Sequence, residues 1–326
     1  MIKILCAIIA AFALTLILGK ILIPVLRAMK VGQEIRQDGP TWHNSKAGTP
    51  TMGGLCFIGG ALLCIVFGLR GILEGDFSSV YVLILSLCFG LVGFLDDFFK
   101  VKYKRNLGLT SMQKACLQMV VSALYLYILY KEGLMSASLY IPFFDVTWEM
   151  HPMVYIFFAM FVMVGCVNAV NLTDGLDGLA TSVTLPVMVF FTAVAVQMER
   201  WNLALFPAAL VGGLAAFLVY NFHPAKTFMG DTGSLFLGGA VVGLGFALDM
   251  PLVLILVGII YIIETMSVIL QVVYFKATHG KRLFKMAPIH HHFEKCGWNE
   301  EKIVFIFAGI TIVTCILAWI GVSGRF

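Results

Sequence analysis

Asn168-Ala169-Val170-Asn171-Leu172-Thr173-Asp174-Gly175-Leu176-Asp177-Gly178 decides how this chain is read. An apolar run ends just before this stretch and another begins just after it. Two asparagines, a threonine and two aspartates therefore sit at a membrane boundary, spaced by glycine. Glycine takes positive φ and lets the backbone approach a ligand closely. Amides and carboxylates so placed are suited to hold a metal ion and a polar substrate. The alternative is a plain polar loop between two membrane helices. Such loops seldom concentrate Asn, Asp and Gly without Lys or Glu.

The surrounding composition agrees with a membrane boundary. The 326 residues are 60% hydrophobic and 12% charged, whereas a soluble domain carries about 25% charged residues. The chain reads as an all-α, polytopic integral membrane protein, with residues 1–326 forming a single transmembrane domain. Of the eight cysteines, none forms a C-x-x-C pair. That excludes a disulfide framework and a zinc spacing. Seven lie in apolar runs as packing residues, and Cys296 reads as a loop thiol in a reducing compartment. The apolar N-terminus from Ile4 to Leu26 is too long for a signal-peptide core, and its positive flank follows it, so it reads as an uncleaved span.

A span needs roughly 20 apolar residues. Ten windows qualify, at about 3–26, 51–70, 79–99, 111–131, 152–171, 179–198, 203–221, 234–249, 251–275 and 303–322. The eighth is short and glycine-rich. Its Gly239 and Gly243 permit close helix packing or simply weaken the helix. Lys and Arg number sixteen in the segments after odd-numbered spans and five on the other side. By the positive-inside rule, the former segments are cytoplasmic and both termini are extracytoplasmic. The polar clusters then share the cytoplasmic face. Outer segment 132–151 alternates like a small hairpin, and its Tyr140 and Trp148 suit an interface. No internal repeat or low-complexity tract is visible, and no nucleic-acid partner is expected.

Asp96 and Asp97 close the third window. Adjacent carboxylates repel, and a helix C-terminus adds negative potential. Lys100 is one cation that would relieve them and a divalent metal is the other, the latter favoured by further acids on this face. Asp231 lies in Asn221-Phe-His-Pro-Ala-Lys-Thr-Phe-Met-Gly-Asp-Thr-Gly-Ser234, just before the next span. A helix N-terminus there would seat a phosphate, and magnesium takes one or two carboxylates with substrate phosphates. Phe228 is placed to stack on a flat base. In Lys285-Met-Ala-Pro-Ile-His-His-His-Phe-Glu294, His290 and His291 read as donors to phosphate or sugar. Neighbouring histidines seldom converge on one zinc, and a histidine tract without a role is the alternative. Glu264, Ser267 and Gln271 share a helical face. Gln271 is near the cytoplasmic end, whereas the deeper Glu264 reads as packing. Lys46, Lys100 and Lys114 flank the acids, either as positive-inside charge or as anchors for a diphosphate or lipid phosphate. Together these groups point to phosphoryl transfer at the lipid surface.

Gly48-Thr-Pro-Thr-Met-Gly-Gly54, Gly93-Phe-Leu-Asp-Asp97, Asn168 to Gly178, Gly230-Asp-Thr-Gly-Ser234 and Met286-Ala-Pro-Ile-His-His-His-Phe-Glu294 resemble the phospho-N-acetylmuramoyl-pentapeptide transferases. These belong to the wider polyprenyl-phosphate sugar-1-phosphate transferases. The match runs in order from about residue 20 to the end. The triple-histidine block is its most specific part. The resemblance implies transfer of phospho-MurNAc-pentapeptide from UDP-MurNAc-pentapeptide to undecaprenyl phosphate, giving lipid I and UMP. It further implies Mg2+, a homodimer and a bacterial cytoplasmic membrane. Asp231 is implied as metal ligand, and Asp96, Asp97, Asp174, Asp231 and His290 as the catalytic group. Asn221, Phe228, Gly175, Leu176 and Asp177 are implied on the uridine side. Lys46, Thr51, Lys100, Lys114, Asn168, Asn171, Gln271 and His291 are implied as substrate contacts. Two alternatives remain. A sister UDP-GlcNAc transferase would share the acids and lack the histidine block. A secondary transporter would place ligand groups near the midplane.

Overall fold

The structure is a computed structural model and describes residues 1–29, 48–103, 105 and 107–326. Among the described residues, ten helices are long and apolar enough to cross a membrane. They are α1 (Ile2–Ala28), α2 and α3 together (Leu55–Ala61 and Leu63–Leu73), α4 (Ser78–Tyr103), α5 (Ser111–Lys131), α6 (Pro152–Thr173), α7 (Leu179–Gln197), α8 (Trp201–Asn221), α9 (Gly230–Ala247), α11 (Ile259–Ala277) and α13 (Glu300–Gly321). Short α10 (Leu254–Val257) precedes α11, and α12 (Ile289–Glu294) lies between α11 and α13. The segment 132–151 contains the expected hairpin, with β1 (Ser138–Ile141) antiparallel to β2 (Val146–Glu149) and Tyr140 opposite Thr147.

The bundle is built around α9, whose residues from Thr232 to Phe246 are all buried. Between lipid-soluble helices there is little hydrophobic drive, so close van der Waals approach carries the packing. The glycines of α9 permit that approach. A Cβ at Gly239 or Gly243 would press on Ser86 and Phe89, or on Val82 and Leu85, of α4. One at Gly238 would press on the Val167 backbone of α6. The glycine-rich window is therefore a packing surface rather than a weak helix.

Three element ends differ from the hydropathy windows. Helix α4 runs on to Tyr103, so Asp96 and Asp97 lie inside it. Helix α6 runs to Thr173, so Asn168 and Asn171 are helical rather than part of a loop. The ninth window does not form one helix from 251, because a break at Gly258 separates α10 from α11. Hydropathy averages over such ends and does not see the hydrogen bonds that set them. Of the apolar cysteines, Cys56, Cys64 and Cys315 are buried, whereas Cys6 and Cys116 are exposed.

Candidate active site

The cytoplasm-assigned ends of α4, α5, α6 and α9 converge on one acidic centre. Asp96 and Asp97 of α4 and Asp231 in the first turn of α9 each offer a carboxylate oxygen within 4.8 Å of the others. Gly93 sets the approach of the two helices, because a Cβ there would fall on the Asp231 carbonyl. Lys100 Nζ is 2.6 Å from Asp96 Oδ2 and 2.8 Å from Asp231 Oδ2. Lys114 Nζ of α5 is also 2.8 Å from Asp231 Oδ2. Asn171 donates its amide hydrogens to Asp231 Oδ1 and to Ser234 Oγ, each at 2.7 Å. Both Asp231 oxygens are thus held by groups from three other helices.

Asp97 has a different job from its neighbour. Its Oδ1 accepts from the Asp231 N–H at 3.2 Å. Its Oδ2 accepts from the Thr232 N–H at 2.9 Å and the Thr232 hydroxyl at 2.7 Å. Asp97 therefore caps α9 from another helix, satisfying donors that a helix start leaves open. Those two N–H groups are consequently not a phosphate seat, contrary to the expectation from the sequence. Asp96 instead accepts from the Leu109 N–H at 2.8 Å, on the segment leading to α5. Gly230 has φ of 70°, and a Cβ there would meet both Asp97 Oδ2 and Thr51 Oγ1. Thr51 is thereby placed at the acidic centre. Lys46 lies outside the described residues.

The loop after α6 forms a second wall. Desolvation, reinforced by the charges of Asp231, Asp97 and Asp177, pushes Asp174 well above the ordinary carboxylate range. Gly175 lies against the His290 imidazole, leaving no room for a Cβ, and Leu176 is buried. Asp177 Oδ2 accepts from the Ala225 N–H at 2.9 Å and lies 3.1 Å from His223 Nδ1. Its own N–H donates to Glu300 Oε2 at 3.2 Å. Asp177, His223 and Glu300 form a second oxygen and nitrogen group from three separate segments. A cavity of about 230 Å³ lined by His223, Glu294, Trp298, Asn299 and Glu300 adjoins it.

Other candidates are engaged within the protein. Asn168 pairs reciprocally with Gln118 of α5, at 2.7 and 3.3 Å. Asn221 is buried, accepts from Thr181 Oγ1 at 2.7 Å and donates to the Thr227 carbonyl at 3.1 Å. It shapes the loop that carries Phe228, whose N–H donates to Pro50 O at 2.9 Å. Gln271 Oε1 accepts from the N–H groups of Leu283 and Phe284 at 3.1 and 2.8 Å, tying the α11–α12 connection down. His291 stacks against His290, with ring centroids 4.2 Å apart, and its Nδ1 lies 2.6 Å from Glu294 Oε2.

Thr232, Ser234, His223 and Glu300 were not legible as site residues. Thr232 and Ser234 adjoin Asp231 in a quoted motif, and that proximity was the available signal. His223 also lay in the quoted stretch 221–234, but nothing there pointed to Asp177, and Glu300 had no signal, because its partner Asp177 is far away in sequence.

The glycosyl transferase family 4 model matches residues 79–249. A phospho-N-acetylmuramoyl-pentapeptide-transferase signature matches residues 46–58. Curated proteins named phospho-N-acetylmuramoyl-pentapeptide-transferase are similar over nearly the whole chain. One from Clostridium acetobutylicum is 46% identical, over 96% of this chain and 97% of its own length. One from Clostridium perfringens is 50% identical, over 97% of this chain and 98% of its own length.

Proposed function

The chain belongs to the phospho-N-acetylmuramoyl-pentapeptide-transferase family, and from that premise we propose how its acidic centre performs the transfer. The protein moves phospho-MurNAc-pentapeptide from its UDP ester to a polyprenyl phosphate, giving lipid I and UMP. The observation that carries the mechanism is the sharing of Asp231 by Lys100 and Lys114 beside Asp96 and Asp97. Such a centre binds a diphosphate and neutralises charge as its bridging bond breaks.

In this reading the acceptor is undecaprenyl phosphate and the metal is Mg2+. Three hard carboxylate oxygens within 4.8 Å fit magnesium, which keeps waters and takes further oxygens from substrate phosphates. Asp231 is its proposed ligand, with Asp96 alongside. Bound there, the ion supplies charge neutralisation at the diphosphate. Lys100 and Lys114 bind diphosphate oxygens, and Asp96 orients the attacking lipid phosphate. Phe228 and the Gly175–Asp177 loop face the uridine, with Asn221 shaping the pocket. His290, against Gly175 in the loop that also carries Asp174, faces the transferred group. Thr51, Gln271 and His291 line the substrate path, whereas Asn168 and Asn171 position α5 and Asp231.

The transfer is a single displacement. An oxygen of the lipid phosphate attacks the β-phosphorus, the bond to the UMP oxygen breaks, and UMP leaves with that electron pair. A phosphate monoester has its second pKa near about 6, so the acceptor is mostly dianionic at neutral pH and needs little base assistance. Asp97 is poorly placed as a covalent nucleophile, because both its oxygens cap α9. Attack would uncap the helix that carries Asp231.

The acidic centre is assigned to the cytoplasmic face of the cytoplasmic membrane, with both termini outside. A homodimer belongs to the same proposal and rests on the family resemblance. The names of the relatives disfavour the sister GlcNAc transferase. The test is UMP release by purified protein in detergent with undecaprenyl phosphate and magnesium. UDP-MurNAc-pentapeptide and UDP-GlcNAc are offered in parallel. Release only with the first, abolished by EDTA and by Asp231→Asn, is expected. Activity that survives EDTA would remove the metal from the scheme.

A further inference from the structure

We propose that Glu264 is a positioning residue for this transfer. Its carboxylate holds His290 in the tautomer and orientation that present Nε2 to the Asp174–Gly178 loop. The inference rests on the transferase reading and deepens it.

Glu264 belongs to the membrane-spanning helix α11 and is 0% exposed, and His290 of α12 is 1% exposed. Glu264 Oε1 lies 3.0 Å from His290 Nδ1. The pair stands at ion-pair distance without hydrogen-bond alignment, and among the described residues no hydrogen-bond partner reaches the side-chain polar atoms of either residue. A carboxylate buried alone within a membrane is costly. Packing needs no such group, and an apolar side chain would fill the space at no such cost. Here the carboxylate and the imidazole are placed as polar neighbours inside the bundle.

The direction of the contact matters. Nδ1 is the ring nitrogen beside the carboxylate, and a hydrogen held there leaves the lone pair of neutral imidazole on Nε2. Nε2 is the atom that a Cβ at Gly175 would strike, and Gly175 follows Asp174. The rest of the polar stripe on α11 serves the same mount. Gln271 holds the N–H groups of Leu283 and Phe284, fixing the chain that leads to α12. Ser267, one turn from Glu264, donates to the Glu264 carbonyl at 2.7 Å. The spanning helix is thus the base on which a short six-residue helix carries its histidine to the site.

The test is a double-mutant cycle on UMP release by the full-length protein in detergent, with Glu264→Gln, His290→Ala and the pair. Glu264→Gln is expected to lower kcat about 10- to 100-fold, the usual loss for an outer partner of a functional group. KM for the UDP substrate should change less than about 3-fold, and Glu264→Asp should recover part of the rate. In the His290→Ala background, Glu264→Gln should cost less than about 2-fold more, because its route of action is already gone. Losses that multiply, or a Glu264→Gln enzyme with wild-type kcat, would overturn the proposal. Thermal unfolding identifies a variant that fails to fold. If that happens to Glu264→Gln, the cycle is run with Glu264→Asp under the same requirement of non-additivity. Inactive wild-type enzyme would sink the transferase reading itself. Active wild type with multiplying losses would sink only the role given to Glu264.

Discussion

Adjacent aspartates on α4 do unlike things because their neighbours differ. Asp97 is 2% exposed and spends its oxygens on the start of α9, whereas Asp96 faces Lys100 and Leu109. Removing the Thr232 hydroxyl by Thr232→Val leaves a buried Asp97 oxygen with one donor fewer. Hydrogen bonds to charged groups are worth about 1.5–3 kcal/mol. That loss is expected in denaturant unfolding, together with reduced UMP release because Asp231 moves with the cap. Asp174 makes a separate prediction. Its pKa is raised on folding by desolvation and by nearby acids, so the folded chain keeps a proton that the unfolded chain releases near pH about 3.9. The stability tied to that proton is fully present below this pH and is lost as pH rises toward the folded value. Asp174→Asn is therefore expected to flatten the fall of the melting temperature with rising pH in EDTA. An unchanged slope would remove Asp174 as its source.

At the scale of elements, α9 is both the most enclosed span and the carrier of Asp231. Its packing and its chemistry are consequently linked. Gly93→Ala places a methyl group on the Asp231 carbonyl and pushes α4 from α9. Overpacking of this kind costs about 1–3 kcal/mol. Both the melting temperature and UMP release should fall. Gly165→Ala in α6 is the control, since a Cβ there meets nothing within 4 Å. Helix propensity makes alanine neutral to favourable at such a position, by up to about 1 kcal/mol. A Gly165→Ala loss as large as that of Gly93→Ala would dissolve the link between packing and site. The polar stripe on α11 shows the same coupling, because its members mount the α11–α12 connection rather than merely pack.

For the whole molecule, the ten candidate spans among the described residues place both termini on one side, and the distribution of Lys and Arg predicts that this side is the exterior. Cys296 gives a direct test, because it is exposed and lies in the loop assigned to the cytoplasm. A membrane-impermeant maleimide should label it in inside-out vesicles and not in right-side-out ones. With the other exposed cysteines removed by Cys6→Ser and Cys116→Ser, Cys296→Ser should abolish that labelling. Labelling from the outer side would invert the orientation and place the acidic centre outside.

The sequence by itself determined the ten candidate spans found among the described residues, and it named the aspartates and the lysines Lys100 and Lys114 that the structure gathers in one cluster. Transfer of apolar residues into lipid is nearly additive along a chain, and the motif residues stand close together within short segments. Only the tertiary structure decided which oxygen meets which donor. Asp97 caps a helix 134 residues away, Asn171 reaches across to Asp231, and Glu264 meets His290 through a connection that doubles back. Such pairings depend on how closely two backbones approach, which is set by glycines on one helix and the side chains opposite them on another. No local window contains both partners, so composition and periodicity leave these roles open until the helices are packed.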